Sequence, residues 1–121
     1  MNYATMTDKE LRLEVAKRKG WSIHYAEECN YDAGTIYYTS PSGDIFSTKF
    51  GYTPLENWPT DIASAWGLVE EMKVDVVGIA WDTDHWAVDL WISRWLRCTN
   101  AICSRAICEA WLAWKDAQEE P

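Results

Sequence analysis

Apolar residues mark out the elements of the chain before any motif does. Leu11 and Val15 stand four apart, with Leu13 or Ala16 nearby, and predict an amphipathic helix over about residues 8–19. Thr7-Asp8-Lys9-Glu10 reads as its capping box, the Thr7 hydroxyl and the Glu10 carboxylate each satisfying the other's backbone N–H. Lys17, Arg18 and Lys19 suit the negative end of the helix dipole, and Gly20 is a natural stop. Residues 21–33 carry no clear period. "GTIYYTSPSGDIFSTKF" predicts two strands around Ser40-Pro41-Ser42-Gly43, where Pro fixes φ and Gly permits a positive one. A loop over residues 51–59, with two prolines, leads to a second helix from Thr60 or Asp61 to Met72. Ile62, Ala65, Trp66 and Val69 give it one inward stripe that includes Trp66, and Thr60 is its expected N-cap.

Residues 74–81 read as a strand, Asp82-Thr83-Asp84 as a polar turn and "HWAVDLWI" as the returning strand. Trp86, Val88 and Leu90 take one face of it and Ala87, Asp89 and Trp91 the other, so Asp89 must be wet or paired. A last helix is expected from Thr99 or Asn100 to about Gln118, with Cys103, Ala106, Ile107, Ala110, Trp111 and Trp114 on its apolar side and a solvated tail beyond. The predicted order is α-β-β-α-β-β-α. It implies an α+β fold, a three-layer α/β/α sandwich with a mainly antiparallel four-stranded sheet and three helices. The length suits a single domain over residues 1–121, with an ordered core over 6–118.

Charge narrows the functional classes. The net charge is −8, and it is uneven: six Lys/Arg face eight Asp/Glu in residues 1–60, and five face eleven in residues 61–121. Such a chain repels nucleic acid at long range, so direct nucleic-acid binding is not expected. No run of 18 apolar residues exists, and the first residues lack a basic stretch followed by an apolar one; neither a membrane span nor a secretory signal is expected. Cys98, Cys103 and Cys108 follow at intervals of five, about 500° on a helix, which is not a metal-binding pattern. With Cys29, they are expected to be idle or buried thiols. Nine tryptophans are too many to hide in so small a domain, and several are expected in a groove or interface.

Two stretches carry a resemblance. "TDIASAW" (Thr60–Trp66) and "RAICEAWLAW" (Arg105–Trp114) resemble the two signature segments of the phage ABA-sandwich domain family, small proteins of tailed phages and prophages. The early capped helix ending in Gly20-Trp21 and the Trp86-Ala87-Val88 strand fit the same family, so the likeness spans about residues 7–115. The resemblance implies the helix–sheet–helix sandwich and phage origin; with no secretory signal, the protein is then expected in the host bacterial cytoplasm. It implies no chemistry.

No phosphate-binding loop, nucleophile elbow or zinc-protease motif is present, so no enzyme, cofactor or metal is expected. Asp82, Asp84, His85 and Asp89 form a local acid–histidine cluster, best explained as a polar hairpin turn. Two binding roles against host antiviral defence suit the residues. In the first, a nucleotide-derived immune signal is sequestered: Trp58, Trp95, Tyr37, Tyr38 and Tyr52 supply planar faces, Arg94 and Arg97 supply cations, and Thr60 and Asp61 lie at a helix N-terminus. In the second, an acidic, aromatic face of Asp75, Asp82, Asp84, Trp86, Asp89 and Trp91 inhibits a basic host defence protein such as a nuclease. A virion or replication accessory role is a third expectation. Homo-oligomerisation accompanies the first.

Overall fold

A computed structural model describes residues 2–25, 36–48 and 55–119, with Tyr25 described in its backbone alone. Among these residues the fold is α+β, with three α-helices and two three-stranded antiparallel sheets. The order is α1 (Asp8–Arg18), β1 (Ser22–Tyr25), β2 (Ile36–Thr39), β3 (Ile45–Ser47), α2 (Ile62–Met72), β4 (Val76–Asp82), β5 (His85–Trp91), β6 (Trp95–Asn100) and α3 (Cys103–Glu119). The expected single four-stranded sheet is therefore corrected: β1 and β6 are strands that the hydrophobic pattern did not reveal. The chain gathers into two compact units, Met1–Val15 with Glu56–Pro121, and Ala16–Leu55.

The shorter unit holds the sheet β1-β2-β3. Ser22 pairs with Thr39 and His24 with Tyr37, while Tyr38 pairs with Phe46. The β2–β3 turn uses its residues as the sequence suggests. Gly43 has φ +96°, its N–H donates to the Ser40 carbonyl at 2.9 Å, and the Ser40 N–H donates to the Asp44 carbonyl at 2.8 Å. Gly20, also at φ +96°, ends α1: its N–H donates to Lys17 O at 3.0 Å and the Trp21 N–H to Ala16 O at 2.9 Å, the paired bonds of a Schellman stop. A side chain there would be strained and would meet Pro41 at 3.4 Å. Trp21 then leans on Phe46, centroids 6.0 Å apart.

The larger unit is built around α3. Ala106, Ile107, Ala110, Trp111 and Trp114 are buried as expected, and Cys108 and Leu112 join them. The helix packs on α2 and on strands β5 and β6. The capping box of α1 forms as predicted, with the Thr7 N–H to Glu10 Oε1 and the Glu10 N–H to Thr7 Oγ1 both at 3.1 Å. Leu11 and Val15 are fully buried. Arg105 of α3 then ties down the N-terminal segment. It meets Asp8 Oδ1 at 2.8 Å, Glu109 Oε2 at 3.5 Å and the carbonyls of Tyr3, Ala4 and Met6. The Tyr3 hydroxyl reaches Asp116 Oδ2 at 2.5 Å.

The inward face of α2 differs from the expected one. Ala65, Leu68, Val69 and Met72 are buried, whereas Ile62 and Trp66 are half exposed. Its large apolar residues form one arc, from Leu68 and Met72 through Ala65 and Val69 to Ile62 and Trp66, with Ser64, Gly67, Glu70 and Glu71 opposite, so a three-four period fits a stripe on either half of that arc. Packing against α3 selects the smaller, aliphatic one. Thr60 is not the cap either. Asp61 occupies the N-cap position without a side-chain cap bond, and its carboxylate accepts from Ser64 Oγ at 2.8 Å.

Candidate binding surface

The sheet β4-β5-β6 sets every exposed tryptophan of the strands on one of two faces. Val88 and Leu90 are fully buried, and Asn100 Nδ2 donates to Glu109 of α3 at 3.0 Å. Alternation therefore points Val88, Leu90, Leu96, Cys98 and Asn100 at the helices, and Asp89, Trp91, Trp95, Arg97 and Thr99 away from them. Asp89 is paired with its cross-strand neighbour: Arg97 Nε and Nη2 reach the two carboxylate oxygens at 2.6 and 3.2 Å. The hydrogen bonds and charge of Asp89 hold the guanidinium even more firmly protonated than usual. One step along the ladder, Trp91 and Trp95 meet edge to face, centroids 5.1 Å apart, and stay 49% and 64% exposed. A register shift between Val76 and Gly78 marks a bulge, and Val77 within it is exposed. Val77, Asp89, Trp95, Leu96 and Arg97 line an open depression of about 380 Å³.

The β4–β5 hairpin forms a second surface. Trp81 and Trp86 pair across the strands with centroids 5.7 Å apart, and Trp81 is 54% exposed. Thr83 turns the chain at φ +44°. Asp82 and Asp84 flank it, both well exposed, and His85 Nδ1 lies 2.7 Å from Asp84 Oδ1 and Nε2 3.8 Å from Asp82 Oδ2. Exposed Ile102, just before α3, follows the strand partner of Trp86. Trp86 pairs with Asn100, whose side chain accepts from the N–H of exposed Ile102; Ser104 Oγ bonds to Pro59 O at 2.8 Å, and exposed Ile62 follows three residues on.

Within the larger unit, the residues first read as a nucleotide site are not gathered. Trp58 is buried, and Thr60 and Asp61 lie beside the start of α3. Trp95 is at the far end of β6 from that start, on the order of 16 Å away by the rise of a strand. Arg94 sits in the tight β5–β6 turn, where Ile92 N–H donates to its carbonyl at 3.1 Å. Tyr37 and Tyr38 belong to the shorter unit, Tyr38 buried there, and Tyr52 lies outside the described residues. Of that set, Trp95 and Arg97 share one face. Of the acidic set, Asp82, Asp84 and Trp86 lie at the hairpin end, Asp82 on the same side of the sheet as Asp89 and Trp91 and Trp86 on the other, and Asp75 is half-buried, accepting from Trp114 Nε1 at 2.7 Å. Val77, Trp81, Ile62 and Ile102 were missed; only burial reveals them.

Two of the described thiols are held in their protonated form. Burial, reinforced by the Glu109 charge, pushes the Cys98 thiol up to about 11 and the Cys108 thiol higher still, so thiolate is scarce at neutral pH. Cys98 lies on β6, not on the last helix. Among the described residues no group of three or more His, Cys, Asp or Glu is arranged to hold a metal, and no helix is long and apolar enough to cross a membrane. No family model, curated protein or solved structure matches the chain.

Proposed function

We propose that this is a phage-encoded, non-enzymatic binding protein that antagonises host antiviral defence by docking on a basic host protein through the tip of the β4–β5 hairpin. One observation carries the reading: an exposed indole, Trp81, braced edge-on by Trp86 and followed at once by a turn whose Asp82 and Asp84 carboxylates are well exposed. Tryptophan is the residue most enriched among energetic anchors of interfaces, and carboxylates around it steer a cationic partner. The net charge of −8 adds long-range attraction for a basic surface. The phage setting rests on the resemblance of Thr60–Trp66 and Arg105–Trp114 to the ABA-sandwich segments.

The test is a Trp81→Ala variant beside an Asp82→Lys/Asp84→Lys variant, each checked for an unchanged melting curve. Loss of a central indole anchor weakens binding by about 2 kcal/mol, roughly 30-fold. Both variants should release the host protein that the parent captures and should fail to protect phage on a defended host. Full protection by both would sink the hairpin assignment.

A second reading, sequestration of a nucleotide-derived immune signal, is favoured by the depression of about 380 Å³ bordered by Trp95 and Arg97. A base stacked on Trp95 would quench its fluorescence, and tight binding would raise Tm. The open floor and the carboxylate already on Arg97 weigh against it. A flat response of fluorescence and Tm to cyclic nucleotides and ADP-ribose derivatives would end that reading.

A further inference from the structure

We infer that a pocket between β6, α3 and the N-terminal turn is a binding site for a primary ammonium group carried on an alkyl stem. The pocket has a volume of about 270 Å³. Three consecutive residues of β6, Arg97, Cys98 and Thr99, line it, so it runs along the edge of the strand rather than over one face. Glu109 of α3 lines it too, although only 4% of that residue is exposed. Among the described residues its contacts are with Asn100 Nδ2 at 3.0 Å and Arg105 Nε at 3.5 Å, and both fall on Oε2. Oε1 is the oxygen left to the pocket. A buried carboxylate oxygen that makes no bond is costly, and one that opens onto a cavity is satisfied by a donor placed there.

Charge selects the donor. Arg105 serves two carboxylates, Asp8 at 2.8 Å and Glu109 at 3.5 Å, and its Nη2 is turned to main-chain carbonyls. One cation for two anions leaves a surplus of one negative charge. Arg97, the other charged residue of the lining, does not offset it, because Asp89 holds its Nε and Nη2. The Tyr3 hydroxyl is spent on Asp116. The site therefore calls for a cation, and the oxygens decide which kind. A guanidinium wants two parallel acceptors where Glu109 offers one, and a divalent ion wants about six or more oxygens. An ammonium is compact and has three donors. Oε1 accepts one of them. At least one carbonyl of Arg97, Cys98 or Thr99 points away from β5 and accepts another, since β6 is an edge of its sheet. Ala113, Cys98 and the Tyr3 ring give the alkyl stem an apolar wall. Burial pushes the Glu109 carboxyl upward, so a proton and an ammonium compete for the same oxygen. Trp81 stands on β4, the opposite edge of the sheet, so failure of this inference leaves the proposed function standing.

Thermal melting of the full chain in n-butylammonium chloride tests the inference, with tetramethylammonium chloride at equal concentration as the control. Both cations carry the same charge and screen the net charge of −8 alike, but n-butylammonium alone has N–H donors. At several times its Kd, n-butylammonium should raise the Tm of the parent by about 4 °C over the control. Glu109→Gln should lose that difference. So should Ala113→Leu, which keeps the carboxylate and fills the space for the stem. Nα-acetyl-lysine N-methylamide separates two sources of the ammonium. A rise equal to that with n-butylammonium assigns the pocket to a lysine side chain of another protein, and a rise with n-butylammonium alone assigns it to a free amine. Equal Tm in the two salts at every concentration overturns the inference. A difference that persists in both variants overturns it equally, by placing the amine elsewhere on the acidic surface.

Discussion

Glu109 is the least expected residue of the core. It lies in the middle of α3, buried, with Arg105 at 3.5 Å and Asn100 at 3.0 Å as its partners. Burial pushes its carboxyl above the ordinary range, and the Arg105 charge and the bonds from Asn100 and Arg105 pull it back only in part. In the unfolded chain it titrates near about 4.3. Between that value and its raised folded value, the folded chain holds more protons than the unfolded one. Stability is therefore gained as pH falls through the folded value, and lost as pH rises through it. Glu109→Gln keeps an acceptor for Asn100 and removes the titration. Its Tm should vary less than the parent's between about pH 4 and pH 8, with the gain over the parent largest at the alkaline end. A slope equal to the parent's in calorimetric scans would assign the proton to another group.

At the scale of elements, legibility followed the locality of the determinant. The capping box of α1, its Gly20 stop and the Ser40–Gly43 turn are settled by neighbours within five residues, and all three were readable. The β4–β5 hairpin was readable for the same reason, a polar turn between two alternating runs. β6 was not. Trp95-Leu96-Arg97-Cys98-Thr99-Asn100 does alternate, with Leu96 and Cys98 inward, but it follows a turn without glycine, in which Ser93 takes φ +70°, and runs almost directly into a helix. β1 is only four residues long and owes its existence to pairing with β2, a distant part of the chain. Trp66 and Trp58 exchanged their expected roles because burial of an indole depends on what packs against it, which periodicity does not contain. The candidate surfaces were legible in composition, as surplus tryptophan and carboxylate, and illegible in grouping until the third strand of the sheet was known.

At the scale of the molecule, the larger unit is assembled from the two ends of the chain, with Ala16–Leu55 between them in sequence. Arg105 is the tie: one side chain holds Asp8, Glu109 and three carbonyls of the first six residues. Replacing it with Met would leave Asp8 and those carbonyls without their cation at a largely buried site. The expected cost is about 3 kcal/mol, a fall in Tm of roughly 10 °C. Thermal melting checks this, and a change within a degree or two would mean that the tie is dispensable. The same residue fixes an order of events during synthesis. Tyr3, Ala4 and Met6 leave the ribosome about a hundred residues before the guanidinium that receives them. At roughly 5–20 residues per second they wait on the order of 5–20 s. During that interval Leu11 and Val15 have no α3 to support the unit they belong to, so the nascent chain presents its N-terminal helix to chaperones, or to another ribosome's product, before its own last helix exists.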